Sequence, residues 1–84
     1  MRFDQKIMNY VMGDITTTRL NNCRKVIEKQ AESFGGGFTV LQVVTLKAML
    51  KTLKRRVIAE GNTKLLEQFN FLFDDIMSFE VAKN

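Results

Sequence analysis

Residues 38–58 read FTVLQVVTLKAMLKTLKRRVI, and how this stretch is read decides the fold. Val43, Leu46, Leu50, Leu53 and Val57 recur at spacings of three and four, which puts them on one face of a helix turned toward a core. Thr39 is a natural N-cap, and Gln42 three residues later completes a capping box. Phe38 and Val43 occupy the two positions of a hydrophobic staple. Together these predict a helix from Val40 to about Glu60, ended by Gly61. The run from Val40 to Val44 has β-like composition. The capping box before it and the long periodic pattern behind it argue for helix.

Working outward, the same periodicity predicts three more helices. Phe3, Ile7, Tyr10 and Val11 mark a short first helix to about Met12, with Gly13 placed to end it in the left-handed conformation. Asp14 or one of Thr16, Thr17 and Thr18 caps a second, whose apolar stripe is Leu20, Cys23, Ile27, Ala31 and Phe34. Gly35, Gly36 and Gly37 stop it, since glycine adopts left-handed dihedrals without a steric penalty. Asn62 or Thr63 caps the last helix. Its stripe is Leu65, Phe69, Leu72, Ile76 and Phe79, widened by Leu66, Phe73 and Met77, while Phe71 points away. No stretch alternates at period two for long enough to make a strand. The expected fold is therefore all-α, a compact bundle of four helices with the first one short and no sheet. The loops are short, so each helix is expected to fold back on its neighbour in sequence.

Composition agrees with this and bounds the function. Eighty-four residues make one domain, and the absence of proline suits helices, whose interiors proline breaks. A single cysteine, Cys23, cannot form an internal disulfide, and its place on a core stripe reads as a buried, inert thiol. With no histidine, the commonest general base and most zinc geometries are missing. Asp74, Asp75 and Glu80 do not have the spacing of a calcium loop. No nucleophile–base pair can be assembled, so the chain reads as non-enzymatic, with no cofactor, no metal and no small-molecule substrate. The first residues lack the unbroken apolar core of a signal peptide, no run approaches a membrane span, and the last residues are not a lipidation signal. A cytoplasmic protein is the default expectation. The general build is that of many small phage or bacterial accessory proteins, although no motif identifies a family.

The charge pattern points to a surface. The net charge is +4, and residues 33–59 hold five basic groups and no acidic one, whereas residues 60–84 hold two basic and five acidic. On the helical wheel Lys47, Lys51 and Lys54 flank the core stripe of the third helix, with Arg55 further round and Arg56 on the other side. A cationic flank of this kind suits phosphate contact, where each cation neutralises one phosphate and releases counterions. Arg24, Lys25 and Lys29 of the second helix, with Arg19, extend the patch if the second and third helices pack antiparallel. The plain alternative is a solvated face whose stems cover apolar neighbours. A helix-turn-helix is weakly suggested by Ala31, Gly35, Leu41 and Val44, but the start of the would-be recognition helix offers few groups able to read base edges. The glycine triplet lacks the strand before and the Lys-Ser/Thr pair after that a phosphate loop needs.

The first expectation is thus an accessory protein that binds nucleic acid through the basic helix, largely by phosphate contacts. The alternative is a protein-binding regulator or homodimer using an aromatic surface around Phe71 on the last helix. That helix carries more aromatics than one face can hide, although the first helix, with Met8 and Met12, offers a cover for Phe71.

Overall fold

A computed structural model describes residues 2–35 and 37–79 of the chain. It contains four helices, α1 (Phe3–Met12), α2 (Thr17–Ser33), α3 (Val40–Ala59) and α4 (Thr63–Met77), and no strand among the described residues. The architecture is all-α, with a short first helix, as the periodicity predicts.

Local chemistry explains the boundaries. The Thr16 hydroxyl accepts from the Arg19 amide at 3.1 Å and starts α2. At α3 the capping box is complete. The Thr39 hydroxyl accepts from the Gln42 amide at 3.3 Å, and the Gln42 side-chain oxygen accepts from the Thr39 amide at 2.8 Å. Asn62 caps α4 by accepting from the amides of Lys64 and Leu65. Gly61, at φ 68°, makes the turn between α3 and α4 that a side chain would strain.

Gly13 departs from expectation. Its φ is −89°, an extended conformation rather than a left-handed one. The Gly13 amide still donates to the Asn9 carbonyl, at 3.1 Å, and two arginines reach the carbonyls at this end of α1. Arg19 donates to the carbonyls of Asn9 and Asp14, at 2.9 and 2.8 Å, and its guanidinium stacks over the Tyr10 ring. Arg56 Nη1 donates to the carbonyls of Val11 and Gly13.

The helices run round the bundle in the order α1, α2, α4, α3, each touching the next and α3 touching α1. Helices α2 and α3 lie on one diagonal, α1 and α4 on the other. Consecutive helices α2 and α3 therefore do not pack against each other, contrary to the expectation from loop length. The six residues 34–39 are long enough to cross the diagonal, and that arrangement lets α3 bury its stripe against both α1 and α4. It leaves no helix-turn-helix pair.

One core sits at the centre of the ring. Ile7, Val11, Leu20, Cys23, Ile27, Leu46, Leu50, Leu53, Val57, Phe69 and Phe73 are buried, and each fully buried aliphatic or aromatic side chain contributes about 1.5–3 kcal/mol. Three details differ from the wheel. Met49 joins the core and Val43 is only half-buried, because α3 turns toward α1 as well as α4. In α4 the stripe centres on Phe69 and Phe73, whose rings lie 4.9 Å apart. Phe34 and Phe79 fall at or beyond their helix ends and stay largely exposed, Phe34 meeting the Phe38 ring edge-on. Among the described residues no helix is long and apolar enough to cross a membrane.

Candidate functional site

The eight basic residues of the expected patch divide by what they touch. Arg24 is committed to the bundle. Its guanidinium forms two bonds to the Asp75 carboxylate, at 2.9 and 3.0 Å, one to Glu28 at 2.8 Å and one to the Leu72 carbonyl at 2.9 Å. It ties α2 to α4, and it holds the Asp75 carboxyl below the usual carboxylate range. Arg56 is committed to the end of α1. Lys47 donates to the Phe79 carbonyl at 2.8 Å, just past the end of α4. Lys25 and Lys29 are exposed on α2. Because α2 and α3 are diagonal, they do not extend a patch on α3, and the antiparallel packing that would have joined them is absent.

Lys51, Lys54 and Arg55 remain. They make no hydrogen bond or ion pair among the described residues; Lys51 and Arg55 are exposed and Lys54 is half-buried. Their surroundings are mixed. Arg56 and the Thr45–Met49 side of α3 turn toward α1, while Lys47 reaches α4. The exposed residues between, on the outward flank beside α4, are Val44, Ala48, Lys51, Arg55 and Ile58. Val44 is 51 % and Ile58 54 % exposed.

Helix α4 supplies the neighbouring row. Gln68, Leu72 and Asp75 face α2, through bonds to Asn21 and Arg24. Phe69 and Phe73 face inward, so the exposed residues Glu67, Asn70 and Asp74 fall on the outward flank beside α3. Phe71 stands on the crest, 84 % exposed. Helix α1 does not cover it, being diagonal to α4. The outer face of the α3–α4 hairpin is thus a row of small apolar and cationic groups next to a row of acidic groups around an aromatic ring.

Residue reasoning missed the apolar share of this face, which includes Val44 and Ile58. The signal was present in the sequence: α3 carries apolar residues well off its core stripe, more than a helix with one buried face needs. The chain matches no protein-family model, no curated protein and no solved structure.

Elsewhere, a groove of about 530 Å³ opens between α2, α3 and α4. Its floor is apolar, from Ile27, Ala31, Val43 and Leu46, and the cation at its rim, Arg24, already makes four hydrogen bonds within the bundle. Cys23 is fully buried in the core, and burial pushes its thiol up to about 12, against a smaller opposing effect of Arg19. At neutral pH it is a thiol and not a nucleophilic thiolate. Among the described residues no three potential metal ligands come together.

Proposed function

We propose that the protein is a non-enzymatic binding module that engages another protein through the outer face of its α3–α4 hairpin. The observation that carries the reading is Phe71. A phenylalanine 84 % exposed at the middle of a well-formed helix gives up the burial that the fold could have used, and the neighbouring helix of the hairpin also exposes Val44 and Ile58. Aromatic centres with a charged surround are the composition of protein interfaces.

Nucleic-acid binding is the second reading, supported by the three unpartnered cations Lys51, Lys54 and Arg55. It is the weaker one because Glu67 and Asp74 lie on the adjoining row, where they would face the same phosphates. Three of the five cations on α3 and α2 that it would recruit besides these, Lys47, Arg24 and Arg56, already serve internal acceptors.

The test is a photo-crosslinking residue placed at position 71, with one at Glu32 on exposed α2 as control. The reading expects discrete protein adducts from position 71, weakened by Arg55→Glu, and none from position 32. Equal labelling at both sites, or none at 71, rejects it. Retention on DNA or RNA at about 50 mM salt, lost when Lys51, Lys54 and Arg55 become Glu, would transfer the function to the second reading.

A further inference from the structure

The two rows of the hairpin face complement each other, and they are carried by the same chain. We propose that the occupant of this face is a second copy of the protein, in a two-fold dimer that lays α3 of each copy against α4 of the other. The inference rests on the protein-binding reading and names its partner.

The register follows from the turn. The hairpin reverses at Gly61, so residues equally far from it along α3 and α4 lie level: Arg55 with Glu67, Lys51 with Phe71, Ala48 with Asp74. The Lys47–Phe79 hydrogen bond fits this, since Phe79 is one helical turn beyond the level of Lys47. A two-fold axis parallel to the helices exchanges α3 and α4 but keeps every residue at its level. Arg55 then meets Glu67 of the second copy, and the Lys51 stem crosses the Phe71 ring of the second copy. Ala48 leaves that ring room to approach the helix, and Asp74 of the second copy lies level with it. Each contact occurs twice.

The same geometry explains why the partner is a copy and not an unrelated acidic protein. A purely acidic partner would match α3 and be repelled by Glu67 and Asp74. A phosphate backbone would meet the same objection. A surface with opposite charges on parallel rows matches its own two-fold image, and with both rows used the assembly closes at two. A pair of helices of this length offers a modest area, at the lower end of stable interfaces, so a dimer with a dissociation constant of about micromolar order is expected.

The experiment is sedimentation equilibrium of the intact chain from about 1 to 500 µM, with helicity checked by circular dichroism, at low and high salt. The dimer reading expects the mass to rise from 9.7 kDa to twice that value, less readily at high salt. Arg55→Glu alone and Glu67→Arg alone are each expected to weaken association about ten-fold or more, because each places like charges opposite one another twice. An equimolar mixture of the two variants is expected to restore the dimer, since both pairs are then opposite in sign. Pairing of Arg55 with Glu67 inside one molecule would be repaired only by the double variant and never by mixing. Failure of the mixture to restore association, growth beyond two copies, or a monomer at every concentration each overturns the proposal. A monomer that still crosslinks another protein from position 71 defeats the dimer and leaves the wider reading standing. A monomer that crosslinks nothing defeats both.

Discussion

A side chain at position 13 has nowhere to go. The backbone there is extended and open to any residue, so glycine is not required for its dihedrals. It is required for space. A Cβ on Gly13 would collide with the Arg19 guanidinium and sit 2.9 Å from the Asn9 carbonyl oxygen. Arg19 and Arg56 converge on the last carbonyls of α1, replacing the left-handed cap that the glycine suggests. The sequence shows a glycine after a helix and says nothing of this, because Arg56 arrives from 43 residues away. Gly13→Ala is expected to cost about 1–2 kcal/mol in urea unfolding, as strain and a displaced arginine outweigh the small entropic gain from removing a glycine. Made in an Arg19→Ala background, the same change is expected to cost at most about half as much, since one of the two obstacles is gone and neighbouring residues couple. An equal cost in both backgrounds would show that the Asn9 carbonyl alone excludes the methyl group.

Between elements, the chain is more legible at its helix ends than at its helix contacts. The Thr39–Gln42 box, the Asn62 cap and the Gly61 turn are local, set by residues within four positions, and they were readable as such. The tie between α2 and α4 is not local: Arg24 and Asp75 are 51 residues apart. In the sequence Arg24 is one more cation for a binding surface, and only the fold converts it to a clamp. That clamp carries a pH signature. The bond from Arg24 keeps the folded-state pKa of Asp75 below its unfolded value of about 3.9. The pair therefore adds stability that is fully present above about pH 4–5 and is lost as pH falls through the lowered folded value. Asp75 is well exposed, with 64 % of its side chain accessible, so screening limits the effect to about 0.5–1 kcal/mol at neutral pH. Asp75→Asn is expected to be less stable than the parent by that amount at pH 7 and indistinguishable from it near pH 2. Denaturant titrations at several pH values would check this, and a difference that persists at pH 2 would mean the carboxylate charge is not what holds the clamp.

At the scale of the molecule, periodicity gave the number of helices and most of the core, and missed how they are arranged. Short loops suggest a chain of neighbours, yet α2 and α3 stand across the bundle from each other. The physical reason lies in α3, which buries Leu46, Met49, Leu50, Leu53 and Val57 between α1 and α4, α4 following it through a tight turn at Gly61. The connection 34–39 must then cross a diagonal. Packed helices lie about 8–10 Å apart, so a diagonal is roughly 13 Å, and a chain spans at most about 3.5 Å per residue. Six residues cross this with slack to turn, and four would be drawn nearly straight. Removing two of Gly35–Gly37 is therefore expected to lower the unfolding free energy by about 2 kcal/mol or more, or to force α2 and α3 together and change the fold. Adding two glycines is expected to cost only a few tenths of a kcal/mol, about what loop-closure entropy asks of a slightly longer loop. Had α2 and α3 been neighbours, the shorter loop would be the harmless change, because hairpins of helices are closed by as few as two to five residues. The two loop variants, compared by urea unfolding with helicity measured alongside, thus separate the diagonal arrangement from the sequential one, and equal tolerance of deletion and insertion would contradict the diagonal.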